Sequence, residues 1–336
     1  MSLNVNEILG ELTKDRKDRV GVSATTLNLV AFVEDAALLG WLKERIDAIA
    51  QKHPSRTLVL DATHTDSTHA VHTEAKDVGD TLSTHAEAIE LGVAGVSAES
   101  LASIVRALTV PNVQTVLCWA GSHLAGDMRF RQLTSIANSL VLDSSRVDAT
   151  AQTLYELTDW MAGGHHPAVR DLAYMRLGPW QDMIAQFFDE ADLAGELASI
   201  SRVTVAAGSQ AEAYYLVGWL ASRLQWHARG AAEFCNSQGQ IIAVAFEEQG
   251  GARRVRRIAL ESGHSTFTAE LQKDSPDLVC LRVEGKKARP QRCAPLHDID
   301  VVSLIEEAIL VPDGGNLFRE SLATARALLE ERGSSS

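Results

Sequence analysis

The sequence predicts an α/β protein with two domains that differ in their sheets. In the first half, short apolar strands alternate with amphipathic helices, the pattern of a mostly parallel sheet that is covered on both faces. In the second half, strand segments separated by turn residues are gathered together, and helices stand at the ends. The 336 residues also exceed one typical domain. We therefore expect a Rossmann-like sheet with helices on both faces, followed by an α+β domain with an antiparallel meander sheet.

The first domain is predicted over residues 1–163. Its strands are rich in β-branched and aliphatic residues, as at 25–33, whereas its helices space apolar residues three or four apart, as Leu42, Ile46 and Ile49 are. The strands are predicted at 25–33, 56–62, 70–72, 85–91, 113–119 and 139–143, and the helices at 38–50, 98–108, 127–137 and 149–161.

The second domain is predicted over residues 164–336, and the stretch 163–167 is the most linker-like part of the chain. Segments 240–247 and 253–261 flank the turn residues 249–251, which predicts a hairpin. Further strands are predicted at 201–207, 265–272 and 278–284 with an edge segment near 291–293, and helices at 211–226, 299–310 and 316–331.

Composition excludes several classes of partner. The formal net charge of −13 disfavours nucleic acid and anionic membranes, because both bind basic surfaces. No apolar run approaches the roughly 20 residues that span a bilayer, and the first residues lack the pattern of a signal peptide. The cysteines are widely separated, which predicts buried thiols in a reducing compartment and a cytoplasmic protein. They are Cys118, Cys235, Cys280 and Cys293.

The loops that follow the apolar strands lack the signals of a nucleotide site. The first strand runs into Glu34 and Asp35 with no glycine, whereas a dinucleotide fold needs small residues there. The loop Gly121–Asp127 has the length of a phosphate loop but ends in Gly-Asp instead of Gly-Lys-Ser/Thr. A plain strand-to-helix connection is favoured over phosphate binding, and no cofactor is predicted.

Four histidines lie close together in the sequence and superficially suggest a metal site. They fall in polar, threonine-rich sequence and not in the close pairs that zinc sites use, so we expect solvated histidines and no metal. The group is His64, His69, His72 and His85, with Asp61, Asp66 and Glu87 nearby.

Nucleophilic catalysis has no supporting motif. The Gly-x-Ser-x-Gly elbow is absent from the sequence, and Ser122 and His123 are adjacent, which keeps their side chains out of triad geometry. The run 143–145 (Asp-Ser-Ser) follows a predicted strand, where capping of the next helix is favoured over a place in a cleft. No catalytic residue is predicted.

The run Arg253–Arg257 is the one basic cluster of the sequence. On a strand it presents two arginines on each face, and Glu247 and Glu248 lie across the predicted hairpin. Cross-strand ion pairs are therefore the favoured interpretation, and an acidic or phosphorylated ligand is the alternative.

The segment Asp171–Trp180 is the most informative part of the chain. It combines an acid, a cation and a tryptophan next to a proline, and predicts an amphipathic helix interrupted near Gly178-Pro179. Asp171 and Arg176 are expected to form a local pair or to cap neighbouring chain. The residues expected to be buried are Leu172, Met175, Ile184, Phe187 and Phe188.

At these residues the chain resembles the OpcA family, the glucose-6-phosphate dehydrogenase assembly proteins of cyanobacteria and actinobacteria. It departs from the family pattern at Tyr174 and Gln181, where the family has Trp and Arg, and at Cys118, where an aromatic residue is common. The matching positions are Asp171, Leu172, Arg176, Leu177, Pro179, Trp180, Ala185, Gln186, Phe188 and Asp189, with weaker matches at 53–56, 85–89, 110–111, 118–121, 142–144 and 218–224.

The resemblance implies a non-catalytic partner that promotes assembly or allosteric activation of glucose-6-phosphate dehydrogenase in the oxidative pentose phosphate pathway, and it leaves self-association open. Two alternatives remain: an enzyme that holds a sugar phosphate at Gly121–Asp127 or Arg253–Arg257, and a nucleotide-binding regulator of the same pathway. The positions carried over as motif or interface residues, at a domain junction or against the partner, are Asp171, Arg176, Pro179, Trp180, Trp119 and Asp143.

Overall fold

The chain divides into two compact units. The first comprises Met1–Asp143, Asp159–Arg170 and Asp300–Asp313, and the second comprises Ser144–Thr158, Asp171–Ile299 and Gly314–Ser336. The computed structural model describes residues 3–17, 25–64, 69–78, 82–124, 126–147, 150–164, 166–230, 232–248, 250, 254–296, 300–311 and 315–330.

Seven strands form the first sheet. They are β1 (Leu27–Val33), β2 (Ser55–Asp61), β3 (His69–Val78), β4 (Leu82–Gly92), β5 (Gln114–Ala120), β6 (Ser139–Leu142) and β7 (Ala168–Asp171). Their order is β3-β4-β2-β1-β5-β6-β7. The pairs β1–β2, β1–β5, β2–β4 and β5–β6 are parallel, and β3–β4 is antiparallel. The predicted mostly parallel sheet is confirmed, while the four-residue β7 was not predicted because it follows so closely on the linker-like sequence.

The middle of this sheet is buried on both faces. Every residue of β1 is buried, which explains why that strand is continuously apolar apart from Asn28. The Asn28 side chain donates to the Val110 carbonyl at 3.0 Å and accepts from the Val110 amide at 2.8 Å, so it fixes the loop before β5. On the next strands, Arg56 and Glu87 form a buried ion pair at 2.8 Å.

Eleven helices are found in the described residues. They are α1 (Val5–Lys17), α2 (Ala36–Lys52), α3 (Ala98–Leu108), α4 (Met128–Thr134), α5 (Thr150–Ala162), α6 (Leu172–Met175), α7 (Gly178–Ala185), α8 (Ala191–Ala194), α9 (Gln210–Arg223), α10 (Val301–Leu310) and α11 (Gly315–Glu330). The sequence did not predict α1, whose Ile8 and Leu12 are buried one helical turn apart. None of the described helices combines the length and apolarity needed to cross a membrane.

Eight strands form the second sheet. They are β8 (Ile200–Ala207), β9 (His227–Gly230), β10 (Glu233–Cys235), β11 (Ile241–Glu248), β12 (Val255–Ser262), β13 (Ser265–Gln272), β14 (Ser275–Gly285) and β15 (Arg289–Pro295). Their order is β15-β14-β13-β12-β8-β11-β10-β9. All neighbouring strands are antiparallel except β8 and β11. The predicted antiparallel sheet is confirmed, and the short strands β9 and β10 were not predicted.

The predicted hairpin between β11 and β12 is wrong. Strand β8 lies between them, pairing parallel with β11 and antiparallel with β12. The apolar β8, with Val203 and Val205 fully buried, takes the central place that buries most apolar surface. Arg257 still pairs with Glu247 at 3.6 Å, because the strand between them presents only the small side chain of Ala206. Arg253 lies outside the described residues.

Two cysteines are joined where buried thiols were expected. Cys280 and Cys293 are register partners on β14 and β15 and form a disulfide. Their separation of 13 residues carries no motif, and only the antiparallel register brings them together. Cys118 and Cys235 are free, Cys118 is buried, and burial raises the pKa of the Cys118 thiol to about 12.

Candidate functional sites

The first candidate site lies at the carboxyl ends of β1 and β5. Here the strand order reverses, since the chain proceeds from β1 toward β2 on one side, whereas β5 lies on the other side of β1. Open α/β sheets bind ligands in the crevice outside such a reversal. Side chains of the chain itself occupy this place, and we name them the switch-point cluster: Phe32, Glu34, Trp119, Ser122, Asp127 and Arg129.

Ion pairs form the polar part of the switch-point cluster. Arg129 donates to Asp127, with Nη2 to Oδ2 at 2.7 Å, and also to Glu34. The Ser122 amide donates to Glu34 Oε2 at 2.8 Å. Burial acts to raise the pKa of Asp127, but hydrogen bonds from Arg129 outweigh it and hold that pKa below its ordinary value. The hydrogen bond to Asp127 likewise raises the pKa of Arg129.

Aromatic rings form the apolar part of the switch-point cluster. Phe32 and Trp119 stack with centroids 4.2 Å apart, and the Arg129 guanidinium lies 5.1 Å from the centre of the Phe32 ring. The Trp119 indole N–H donates to the His123 carbonyl at 3.1 Å. A Cβ atom at Gly121 would come within 2.6 Å of the Trp119 ring, so only glycine allows the loop to fold back over the indole.

The donors that a phosphate group would need are engaged by carboxylates. The Ser122 amide donates to Glu34, the Arg129 amide donates to Asp127, and Asp35 caps the start of α2 by accepting from Ala37 at 2.9 Å. A pyrophosphate in a dinucleotide fold takes the N-terminus of the first helix. This geometry favours the interpretation of Gly121–Asp127 as a strand-to-helix connection.

The second candidate site contains the motif segment. We name as the motif network the residues Ser144, Ser145, Asp171, Arg176, Glu212 and Tyr215. Asp171 is buried and caps α6 by accepting from the Ala173 amide at 2.9 Å. It also accepts from the Ser144 amide at 3.1 Å and from the Tyr215 hydroxyl at 2.8 Å. Burial, and then the nearby Asp171 charge, raises the pKa of Tyr215 well above its usual value.

The cation of the motif pairs with a residue far along the chain. Arg176 Nε donates to Glu212 Oε1 at 2.7 Å, and its Nη2 donates to Ser145 Oγ at 2.6 Å. The second oxygen of Glu212 accepts from the Val255 amide at 3.0 Å, so this buried carboxylate ties α9 to β12. Sequence inspection missed Glu212 and Tyr215, although Glu212 stands in the first turn of α9 behind the cap residue Ser209.

The apolar residues of the motif segment pack inside the second unit, whereas Ala185, Gln186 and Asp189 are exposed. The predicted interruption is confirmed, since α6 ends and α7 begins at Gly178 with Pro179 in its first turn. Trp180 is 3% exposed, and the ring centroid of Phe187 lies 5.6 Å from that of Phe267 on β13. Leu172 and Ile184 are buried as expected, whereas Met175 and Phe188 are half-buried. Asp143, carried over from the resemblance, is half-buried just before the motif-network serines.

The structure describes only part of the histidine group that the sequence suggested as a metal site. Glu87 is engaged by Arg56, and His64 is exposed. Asp66 and the side chains of His72 and His85 lie outside what the structure describes. Within the described residues, ligand atoms of Glu7, Glu11 and His69 lie within 4.8 Å of one another, with both glutamates exposed.

Two family models match the chain, and together they cover most of it. The glucose-6-phosphate dehydrogenase subunit N-terminal domain matches residues 46–159, and the C-terminal domain of the same subunit matches residues 167–322. The chain belongs to the OpcA family.

Curated OpcA-family relatives show the same similarity. The "Putative OxPP cycle protein OpcA" of Synechocystis is 28% identical over 188 residues, which are 54% of this chain and 39% of that protein. Its counterpart in Nostoc punctiforme is 29% identical over 142 residues, or 42% of this chain and 30% of that protein. The matches thus span less than half the length of these relatives.

Solved structures with this fold include both an enzyme and a regulator. The 3-ketoreductase KijD10 of Actinomadura kijaniata, solved with NADP and TDP-benzene, superposes with a TM-score of 0.55 at 10% identity, covering 91% of this OpcA-family chain and 96% of KijD10. The transcriptional regulator Gal80p of Kluyveromyces lactis superposes at 0.51 with 10% identity, covering 96% and 95%. The Rossmann-like fold is confirmed, and it does not decide between catalysis and binding.

Proposed function

We propose that this chain is a non-catalytic partner of glucose-6-phosphate dehydrogenase in the oxidative pentose phosphate pathway, which binds the dehydrogenase and favours its active oligomer. The matches to both domains of the glucose-6-phosphate dehydrogenase subunit support the dehydrogenase as the binding partner. The observation that carries the non-catalytic part is the switch-point cluster, where Glu34, Asp127 and Arg129 fill the place at which this kind of sheet takes a ligand.

The proposed mode of action is differential binding. A protein that contacts the active oligomer more tightly than the inactive form shifts the population by the difference in binding free energy, without contributing a reacting group. In this proposal the chain acts in the cytoplasm, together with the dehydrogenase. In this proposal Arg176 and Trp180 hold the motif segment in shape for binding, since Trp180 is 3% exposed and Arg176 is engaged by Glu212.

The direct test is kinetic. The rate of the cognate dehydrogenase is measured as this chain is titrated in, under reducing and under oxidising conditions, with the oligomeric state followed in the same samples. The proposal expects a saturable rise in rate that accompanies the shift in oligomer. Unchanged kinetics and no complex under both conditions would refute it.

The competing functions are a sugar-phosphate enzyme and a nucleotide-binding regulator. KijD10, which shares the fold, was solved with NADP, so NADP is a suitable ligand for testing the second. Both predict heat on titration of the isolated chain with glucose 6-phosphate or NADP. The proposed function predicts none, because Arg129 and the Ser122 amide are already engaged. Saturable binding that is lost in Arg129→Ala would favour an alternative.

A further inference from the structure

The second sheet has one face that is packed and one that carries charge. On the packed face, the ring centroids of Phe267 and Phe187 lie 5.6 Å apart, and those of Phe246 and Tyr214 of α9 lie 4.7 Å apart. Because side chains alternate along a strand, the neighbours of these residues point to the other side. The strand register places those neighbours in three rows that run across the strands.

We name the opposite side the open face. Its first row is Glu247, Ala206, Arg257, Glu270 and Cys280; its middle row is Ala245, Thr204, Ala259, Thr268 and Arg282; and its third row is Ala243, Arg202, Glu261, Thr266 and Glu284.

The charged residues of the open face are reached by solvent. The side chains of Arg202 and Glu261 are 51% and 46% exposed, and those of Arg257 and Glu247 are 33% and 49% exposed. Three arginines and four glutamates leave the open face almost neutral, whereas the whole chain has a formal charge of −13. Such balance removes the general repulsion that would oppose contact between two copies of an acidic protein.

We propose that the open face packs against the open face of a second copy of this chain, with the two-fold axis running across the strands along the middle row. Arg257 and Glu261 lie on β12, one on each side of Ala259. A two-fold rotation about that row places Arg257 against Glu261 of the partner subunit, and places Glu261 against the partner subunit's Arg257. The small side chains of Thr204 and Ala259 allow the two sheets to approach.

Three further features agree with this packing. The axis keeps the strands of the two sheets aligned, one of the two common arrangements of stacked sheets. Five strands at ~4.8 Å and three rows at ~6.8 Å cover on the order of 500 Å² per copy, or about 1,000 Å² in total, which is the lower limit for a specific interface. One like-charge contact opposes the packing: Arg282 of each copy faces Arg282 of the partner subunit at the exposed end of the middle row, two residues from Glu284 on the same strand. At one edge, Pro290 and Pro295 on β15 disfavour association by strand addition.

Charge exchange gives a specific test, because Arg257 and Glu261 pair with different residues within one chain, Glu247 and Arg202. Arg257→Glu places two glutamates in each pair of the dimer, and Glu261→Arg places two arginines there. Each variant alone is expected to weaken the dimer by about a hundredfold or more, since each repeats the like-charge contact twice. A mixture of the two variants restores both pairs and forms a heterodimer.

The measurement is sedimentation equilibrium of the full chain, of each variant and of the equimolar mixture. We expect twice the monomer mass for the wild type, the monomer mass for each variant and a dimer in the mixture. Arg106→Glu and Glu99→Arg, exposed positions on α3 with the same changes of charge, are the matched controls and should remain dimers. Circular dichroism confirms that each variant is folded.

A monomeric wild type, single variants that dimerise as well as the wild type, or a mixture that stays monomeric each overturns the proposal. If the open face binds the dehydrogenase instead, the wild type alone is a monomer. Arg257→Glu then weakens the complex between this chain and the dehydrogenase. The inference does not rest on the proposed function, and its failure leaves that function untouched.

Discussion

The switch-point cluster and the motif network are both built on arginine–carboxylate pairs, yet they differ in depth and in the groups that complete them. In the first, the side chains of Arg129, Glu34 and Asp127 are 23%, 20% and 11% exposed. In the second, Glu212 and Asp171 are 1% exposed and also accept backbone amides from Val255, Ser144 and Ala173. A partly exposed pair contributes less to stability than its geometry suggests, whereas a deeply buried pair is costly to break. We therefore propose that the switch-point cluster closes a ligand site and that the motif network stabilises the fold.

Removing the buried acid of the motif network should have the largest effect. Glu212→Ala leaves Arg176 without its buried partner and the Val255 amide without an acceptor, so we expect the free energy of unfolding to fall by about 3–5 kcal/mol. Urea denaturation measures it. Glu247→Ala, which removes an exposed glutamate that also pairs with an arginine, is the matched control and should cost about 1 kcal/mol or less. Equal losses would contradict the assignment.

Removing one hydroxyl of the motif network should have an intermediate effect. Tyr215→Phe keeps the ring and deletes the donor to Asp171, so a loss of about 1–3 kcal/mol is expected. Tyr174→Phe, at a half-buried ring in contact with Tyr215, serves as the comparison in the same thermal melts. A neutral Tyr215→Phe would mean that the two amide donors alone satisfy Asp171.

Breaking the switch-point cluster should barely change stability. Arg129→Gln is expected to cost about 1 kcal/mol or less at neutral pH, because these side chains remain partly exposed. Arg129 holds the folded pKa of Asp127 below its unfolded value of roughly 3.9. The stabilisation from this pair is therefore present above the unfolded pKa and is lost as the pH falls through the folded pKa. Stability curves of the two proteins should converge in acid, and curves that stay parallel below pH ~4 would show that the pair has no such role.

The last prediction changes no residue and compares how fast one cysteine in each unit reacts with a thiol reagent. Cys118 lies in β5 directly before Trp119, and burial raises its pKa to about 12, whereas Cys235 is half-buried. In the native protein we expect a thiol reagent at neutral pH to label Cys118 at least ~100-fold more slowly than Cys235. Mass spectrometry after timed labelling measures both rates. Fast labelling of Cys118 would show that the switch-point cluster opens readily.

Sequence patterns predicted those parts of the fold that depend on local spacing. Strand β1 and helix α9 were found because apolar periodicity belongs to the segment itself. The place of β8 between β11 and β12 was missed, because turn residues signal adjacency in sequence and do not reveal that β8 is buried in the centre of the sheet. The Cys280–Cys293 pair was missed for the same reason, since only the strand register brings the two residues together.

The candidate sites were predictable only in part. Asp171 and Arg176 were singled out by the motif, but their partners Tyr215 and Glu212 lie about forty residues away on α9, with no motif of their own. Glu34 was identified as an obstacle to phosphate. The cation that engages it, Arg129, stands 95 residues later in the chain and could be found only from the fold.

The central claim, that this chain acts by binding glucose-6-phosphate dehydrogenase, is tested most directly by sedimentation velocity of the two purified proteins, alone and mixed. The claim predicts a faster boundary in the mixture that contains both proteins and carries the dehydrogenase in its active oligomer. Two boundaries that sediment as they do separately, at concentrations well above those in the cell, would contradict it.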